Sequence, residues 1–562
     1  MILSLLSGLI LAYFGWSVAR LEVNVRKARA IGVPVVRIPF DLNNYVWVIA
    51  QPLVWAAIAC VPIPWSSYPD FVRFSHRNWH FLEKNSPNSR FGAVWALVSP
   101  GGVHLHIADA DAIQEICTRW RDFPRPTQMY RMLAVYGPSV FTVQQNDWPR
   151  HRRAVAAPFN EAIMKSVWNQ SLRQTRATVH DWISRSDTGI RGMPEDMQTI
   201  TLSVLAATAF PESYEFESSA HPKEHEASSE GIRDAFFIVH KYAIYLMLIP
   251  YGLMTGPLMP KKLVKIGRAA ASLKNFMEKT VVEEAGALSR GEPGSGGLIT
   301  HLVHALERKA IRQTGSGEDE KPVKGGLSMD EVLGNIFVIN FAGQDTTSIT
   351  LAFAVMLLAA HPEVQQWIRE EIAVVTRGEP VDRWDYALFP RLKRCHAVFL
   401  ETLRLYPPIT GLPKITSETT KALRIGSRVL EIPPGTETYP MILGAQTDPR
   451  YWKDPLVWRP SRWIVGPERG IDEEVVFTPR KGSFCPWSEG PQGCAGKKFS
   501  QVEGVAVLAC LFRTCSVRPK TKAGETEAQA RRRAQNCADD VNYQLMLKMN
   551  HPDRVTLEYV TV

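Results

Sequence analysis

The sequence is poor in cysteine, in net charge and in repetition, and each shortage removes a class of protein. Its 562 residues hold eight cysteines. That is too few for a disulfide scaffold, and no paired CxxC offers a zinc site, so most thiols are expected to be reduced. Lys+Arg number 65 against 56 for Asp+Glu. An excess of this size, with no long basic run in the body, argues against a nucleic-acid partner. No internal repeat is visible, which removes solenoids and propellers. With 45% hydrophobic and 22% charged residues, the chain is neither disordered, nor collagen-like, nor a polytopic transporter.

What is present begins at the N-terminus. Residues 1–19 carry no charged side chain, and Arg20, Arg26, Lys27, Arg29 and Arg37 follow against a single acid, Glu22. About 20 apolar residues in a helix cross a bilayer core. Positive charge behind the apolar run fits a signal anchor with the bulk of the chain cytoplasmic, rather than a cleaved signal. A buried N-terminal helix is the alternative. A second uncharged stretch, residues 42–69, is rich in Trp and Tyr and contains Pro52, Pro62 and Pro64. It is expected to be broken by these prolines and to lie on or dip into the membrane. A third, residues 242–260, reads as a buried core helix or as a greasy loop at the membrane. Polar stretches at 215–231, 314–326 and 520–540 read as solvated loops or insertions. The chain thus divides into an anchor (1–19), a basic juxtamembrane and interfacial segment (20–74) and one large body (75–562).

The centre of the body is more legible. Ser328 and Glu331 have the spacing of a capping box. From Val332 to Ala360 the chain is apolar and free of proline, and it stops at His361-Pro362. This predicts a helix of about thirty residues, about 45 Å long, buried on most sides. Within it stands Ala342-Gly343-Gln344-Asp345-Thr346-Thr347. Glycine costs up to about 1 kcal/mol relative to Ala in a helix, and a buried carboxylate needs a partner or a shifted pKa. Threonine hydroxyls bond back to the preceding turn and widen a helix. Such residues in a core helix point to chemistry.

Three further constellations accompany it. Pro486-Trp487-Ser488-Glu489-Gly490-Pro491-Gln492-Gly493-Cys494-Ala495-Gly496 precedes an apolar helix over 499–512. Backbone donors and the helix dipole favour a thiolate at Cys494, which can ligate a metal. Glycines such as Gly490 and Gly496 let a large flat cofactor approach the backbone. Cys485 is the rival ligand, but Trp487 stands where Gly496 serves Cys494. Glu401 and Arg404 share a helix face with an apolar flank. A buried pair needs a third partner, and Arg462, in Trp458-Arg459-Pro460-Ser461-Arg462-Trp463, is available. Trp148 and Arg152 set an indole donor and a guanidinium one turn apart, which suits a carboxylate or propionate clamp.

In this order and spacing the motifs resemble the cytochrome P-450 monooxygenases of the microsomal, eukaryotic type, from about residue 75 to the end. The resemblance implies a mainly α fold with small β-sheets (α+β), anchored by its N-terminus in the endoplasmic reticulum membrane with the catalytic domain in the cytoplasm. It implies that Cys494 is the axial thiolate of haem b. It also implies that residues 342–347 line the distal oxygen site, with Asp345 and Thr346 in proton delivery. Trp148 and Arg152 would hold a haem propionate, and Glu401, Arg404 and Arg462 would form the buried triad behind the cysteine loop. Two positions depart from the family pattern. Trp487 replaces the usual Phe, and Gln492 replaces the usual Arg, so a propionate can be hydrogen-bonded there but not neutralised. Some fungal members resemble this chain at both positions. Substrate contacts are expected at Phe341, Ala342, Gly343, Ile409, Thr410 and Leu412, in the loop 125–147 and near 543–547. The implied reaction inserts one oxygen atom from O2 into a lipophilic small molecule, a secondary metabolite by resemblance. Its electrons come from NADPH through an NADPH–cytochrome reductase flavoprotein in the same membrane. Arg150, Arg153, Lys497 and Lys498 are read either as that partner's docking face or as ordinary solvated charges. An oxygen-independent isomerase or dehydratase on the same fold, and a haem-binding membrane protein without turnover, are the alternatives. Asp345-Thr346 argues against the first, and the distal Thr with an apolar access segment argues against the second.

Overall fold

The proline-free apolar run forms one 32-residue helix, Met329–Ala360, about 48 Å long. Its start is fixed by the capping box: Ser328 N–H donates to the Glu331 carboxylate at 2.7 Å and Glu331 N–H to the Ser328 hydroxyl at 3.3 Å. Among the described residues it is the one helix long and apolar enough to cross a membrane, yet 78% of its apolar window is buried inside the protein. It is the core, and the helices packed on it include Met193–Ala209, Lys393–Leu405, Lys497–Phe512 and Glu527–Asp539. The computed structural model describes residues 2–42, 44–209, 230–314, 326–543 and 545–562. The polar stretches 215–231 and 314–326 lie almost wholly outside them.

The third polar stretch is not a loop. Thr526 and Gln529 make a capping box for the helix Glu527–Asp539, and Ala530, Ala534 and Ala538 are buried at four-residue spacing. A high charge content hid a narrow small-residue stripe, which is enough to seat a helix against the core.

Short strands complete the fold. Among the described residues they are β1 (Val35–Arg37), β2 (Val94–Val98), β3 (Val103–Ile107), β4 (Lys414–Ile415), β5 (Lys421–Ile425), β6 (Arg428–Ile432), β7 (Glu437–Pro440), β8 (Ile464–Val465), β9 (Val475–Val476), β10 (Cys515–Pro519), β11 (Val541–Tyr543), β12 (Leu547–Met549) and β13 (Leu557–Thr561). One mixed sheet has the order β1-β2-β3-β7-β4; the rest pair as β5-β6, β8-β9, β10-β13 and β11-β12. The architecture is mainly α with small β-sheets.

The N-terminal helix, Ile2–Ala30, runs through the basic cluster without a break at residue 19. Leu11, Tyr13, Phe14 and Trp16 are exposed, whereas Val25 and Ala28 are fully buried. Asn24 donates to the Ser99 carbonyl at 3.0 Å. β1 pairs in parallel with β2, so the segment after the apolar run is stitched into the sheet. Residues Tyr45–Ala59 form a helix with Pro52 inside it, contrary to the expectation of a break there. Proline removes one N–H bond of an internal turn; the Asn44 side chain, accepting from Val46 and Trp47 N–H, secures the turn before it. Pro62 and Pro64 lie beyond the helix end. Val46, Ile49 and Leu53 form an exposed stripe, while Trp47 Nε1 donates to the Ser75 carbonyl at 3.2 Å. The stretch 242–260 forms two short helices, Ala243–Leu248 and Tyr251–Met254. Leu246, Met247 and Met254 face in, and Ile244, Leu248, Leu253 and Leu258 face out, so one side of the stretch is core and the other is an exposed apolar face.

Candidate active site

The helix Lys497–Phe512 begins after Gly496, its N-cap, and Cys494 lies two residues before that cap. Cys494 N–H donates to the Trp487 carbonyl at 2.8 Å, closing the loop, and Trp487 Nε1 donates to the Ser500 hydroxyl at 3.0 Å. Burial, the largest influence, pushes the Cys494 thiol up; Gly496 N–H and then Arg152, Arg125 and Lys497 pull it back. The residue is nonetheless accessible, as a sulfur enclosed on its flanks and open on one side must be. The rival differs in kind: burial, Cys117 and Glu489 all push the Cys485 thiol up, and no cation opposes them. The two glycines separate as well. Gly490 has φ +67°, and a Cβ there would stand 2.5 Å from the Cys117 carbonyl, so the chain's own packing requires it. A Cβ at Gly496 would meet only Phe159 at 3.6 Å and Cys494 Sγ at 3.9 Å, ordinary contacts, so the chain's own packing does not require a glycine there.

Beside this loop the structure gathers cations. Pro149 at the first turn sets the helix Trp148–Ala156, which carries Trp148 and Arg152. Burial lowers the pKa of Arg152, partly offset by Cys494. Arg125 donates to the Gln492 backbone carbonyl at 2.8 Å, and Lys414 donates to the Gln492 side-chain oxygen at 2.5 Å. Burial pushes the Lys414 ammonium down to about 8, and Arg125 adds to the shift. The main charge influences on Arg125, Arg152 and Lys414 among the described residues include no carboxylate. Trp148 Nε1 and Arg125 Nη1 are buried donors without a partner among the described residues. Unpaired buried donors cost free energy, so this cluster is built for an anionic guest, and the carboxylates of a haem beside Cys494 fit it. Arg125 and Lys414 were missed as individual residues. Each is a lone cation, although Lys414 falls just past the stretch 409–412 and Arg125 opens the loop 125–147. Their presence answers the deficit at Gln492, because the charge that position lacks is supplied through its own hydrogen-bond partner.

The triad is assembled in the interior, with Glu401 and Arg404 fully buried and Arg462 at its edge. Arg404 Nε and Nη2 each reach the Glu401 carboxylate at 2.8 Å. Arg462 Nε and the Arg459 backbone N–H donate to Glu401 Oε1 at 2.9 and 2.8 Å, and Trp463 Nε1 to Oε2 at 2.9 Å. Arg404 also donates to the carbonyls of Gln446, Pro455 and Val457, tying this helix to the segment that leads to the cysteine loop.

On the central helix, the Thr346 hydroxyl donates to the Ala342 carbonyl at 2.8 Å and that of Thr347 to Gly343 at 3.1 Å, the back-bonding the sequence suggests. A Cβ at Gly343 would meet Leu205 at 3.3 Å, so close packing of Met193–Ala209 favours the small residue. Phe341 stacks on Phe337 at 6.1 Å. Ile409 packs on the main core and Thr410 is buried, whereas Leu412 packs on the separate cluster around the sheet. Leu547 N–H donates to the Pro408 carbonyl at 3.0 Å and Lys548 reaches Asp345. The segments around 345, 408 and 547–548 therefore meet, and the loop 125–147 touches the same helix nearer its start, where Val140 N–H donates to Asn335 at 2.9 Å.

Arg150 does not belong to an exposed docking face. It donates to both oxygens of Glu331 at 2.6 and 2.7 Å and to both of Asp147 at 2.9 and 2.8 Å. Its guanidinium thus occupies both carboxylates of the Asp147–His151–Glu331 group, the one close cluster of metal-ligand type among the described residues. Lys498 pairs with Glu161 at 2.5 Å. Lys393, His396, Lys497 and Lys498 line an open groove of ≈530 Å³ next to the cysteine loop.

A family model for cytochrome P450 matches residues 66–533. A cytochrome P450 monooxygenase of Arthrobotrys oligospora is 29% identical over 548 residues, covering 92% of this chain and 91% of the relative. One from Leptosphaeria maculans, named for a phomenoic acid biosynthesis cluster, is 27% identical over 557 residues, covering 90% of each. The solved haem domain of cytochrome P450DA shares the fold, with a TM-score of 0.64 and 18% identity over 88% of this chain and 96% of that one. With its motifs in register and its fold and sequence both matching, the chain belongs to the cytochrome P450 family and is a haem-thiolate monooxygenase.

Proposed function

We propose that this enzyme inserts one oxygen atom of O2 into a lipophilic secondary metabolite, with electrons passed from NADPH by a separate flavoprotein reductase. The observation that carries the reading is the cluster of unpaired buried donors and cations around Cys494, namely Trp148, Arg152, Arg125 and Lys414. Cys494 would ligate the iron, and the cluster would hold the propionates. When bound, haem with a thiolate ligand supplies the reduction and cleavage of dioxygen. The protein does the rest. Glu401, Arg404 and Arg462 hold the cysteine loop rigid. Thr346, bonded back to Ala342, keeps its hydroxyl lone pairs available in a widened turn, and Asp345 beside it moves protons. Phe341, Ile409 and Thr410 exclude water and orient the substrate. The Leptosphaeria relative's place in a biosynthesis cluster supports the metabolite class, and the groove with Lys497 at its edge suits an acidic reductase. The N-terminal helix and the exposed apolar residues at 46–53 and 244–258 suit an endoplasmic reticulum membrane.

The test is the reduced, carbon monoxide-bound difference spectrum of the purified enzyme. A thiolate ligand gives the far-red-shifted Soret band of this family; folded protein without it overturns the assignment of Cys494. Metabolite profiles of a reductase-bearing host with and without the enzyme then identify the substrate.

A further inference from the structure

Trp487 puts an indole beside the cysteine loop where a phenyl ring is usual. Its carbonyl accepts from Cys494 N–H at 2.8 Å, and its Nε1 donates to the Ser500 hydroxyl at 3.0 Å, so the ring is fixed. A line of aromatic rings leads away from it. Trp487 lies 6.1 Å from Phe484 between ring centroids, Phe484 lies 4.7 Å from Trp463, and Trp463 lies 5.3 Å from Trp452. These are the separations of packed aromatic pairs. Trp463 and Trp452 are 1% and 3% exposed, which keeps water and oxygen off them. Tyr451 follows in sequence, packs on the same cluster and is half-buried, so the line reaches the surface there.

The charges along this line give it a direction. An indole yields an electron far more readily than a phenyl ring, and the oxidised ring is positive. The Lys497 ammonium stands 5.5 Å from the centre of the Trp487 ring and repels a positive charge held there. Trp463 instead donates Nε1–H to the Glu401 carboxylate at 2.9 Å, and a hydrogen-bonded carboxylate stabilises a positive indole. The Arg404 guanidinium lies 5.2 Å from the Trp452 ring, but its charge is answered by Glu401 at 2.8 Å. Positive charge entering at Trp487 is therefore drawn across Phe484 to Trp463, and leaves through Trp452 and Tyr451.

We propose that Trp487, Trp463, Trp452 and Tyr451 form an electron-supply path that protects the enzyme when oxygen is activated without a substrate. Electrons run inward, one at a time, from Tyr451 to Trp487. The oxygen atom that no substrate has taken up receives two electrons from the path and two protons from solvent, and leaves as water. Two molecules of a soluble thiol restore the electrons at Tyr451, release two protons and become one disulfide. This inference rests on the reading that Cys494 ligates the iron.

The test uses full-length ferric enzyme, its haem content set by the carbon monoxide spectrum, mixed without substrate with m-chloroperoxybenzoic acid. The peroxyacid gives up one oxygen atom and becomes its carboxylic acid. Freeze-quenched samples are read by electron paramagnetic resonance for an indole radical, and peptides are then mapped by mass for oxidised tryptophan. The wild type is expected to show the radical and to carry oxidised Trp463. Trp487→Phe should lose both. Trp452→Phe keeps the first links, so it should keep the radical and at least double the oxidised Trp463. A glutathione-type thiol added beforehand should at least halve that oxidation in the wild type and not in Trp452→Phe. A purely structural aromatic cluster predicts no radical in any of them. A radical that survives Trp487→Phe and disappears in Trp148→Phe belongs to the stacked pair Trp148–Trp120, 4.8 Å apart, and overturns the path. Protein with a normal carbon monoxide band and no indole radical also overturns it, while the role of Cys494 stands. Folded protein without that band removes the Cys494 reading and this inference with it.

Discussion

Glu401 accepts from Arg404, Arg459, Arg462 and Trp463 while fully buried. A carboxylate so placed tolerates the loss of its charge badly, because two guanidinium groups are then left without their counter-charge. Glu401→Gln is expected to destabilise the protein by about 3–5 kcal/mol, the range for breaking a buried ion pair. Urea denaturation and the yield of carbon monoxide-binding enzyme measure it. This triad could be read from the sequence, since Glu401 and Arg404 share one face and an apolar flank announces burial. Arg125 and Lys414 could not be read in that way. A single cation in a chain with 65 Lys+Arg has no mark of its own, and what distinguishes these two, burial without a carboxylate, is a property of their surroundings. Arg150 shows the converse error: as one basic residue among several it resembles a docking charge, and only the fold brings Glu331, 181 residues away, into its grip.

Between residues and molecule, the central helix depends on its first turn. Glu331 caps it and pairs with Arg150. Burial works to raise the Glu331 pKa, but the Arg150 and Ser328 hydrogen bonds outweigh it and hold the carboxyl at about 2, against 4.5. A depressed acid contributes stability that is complete above pH 4.5 and is lost as pH falls through the folded value. The contribution is about 3 kcal/mol. Unfolding free energy measured at pH 5 and pH 3 should therefore fall more steeply in the wild type than in Glu331→Gln. Helix packing gives a second test at the same scale. A Cβ at Gly504 would stand 2.4 Å from the Phe399 ring, whereas one at Gly343 finds Leu205 at 3.3 Å. Gly504→Ala should cost about 1–3 kcal/mol through overpacking. Gly343→Ala should stay within about 1 kcal/mol, the gain in helix propensity offsetting a small shift of Leu205. Thermal unfolding of both separates the cases. Elements were legible where one signal dominated, as in the capped, proline-free core helix. They were obscured where signals competed, as where three alanines among charges seat Glu527–Asp539, or where a single proline failed to end Tyr45–Ala59.

For the molecule as a whole, the exposed apolar run and the buried residues that follow it share one helix. Removing residues 1–19 leaves Asn24, Val25 and Ala28 in place, and the truncated enzyme should keep its carbon monoxide spectrum. Removal through residue 44 also deletes β1, which closes the edge of the sheet beside β2, and folded yield should collapse. Vesicle flotation tests the membrane face: the enzyme lacking residues 1–19 should still float through Ile49 and Leu53, and Ile49→Lys with Leu53→Lys should release it.

By itself the sequence determined the candidate cysteine loop, the length and capping of the core helix and the partners of the buried triad. Each of these is a local pattern whose spacing already carries its chemistry. Only the tertiary structure decided which charges count. Lys414 and Arg125 meet at Gln492, Arg150 is spent on a helix cap, and Lys548 stands over Asp345. In each case proximity between distant segments, which no spacing along the chain records, gives an ordinary cation its role.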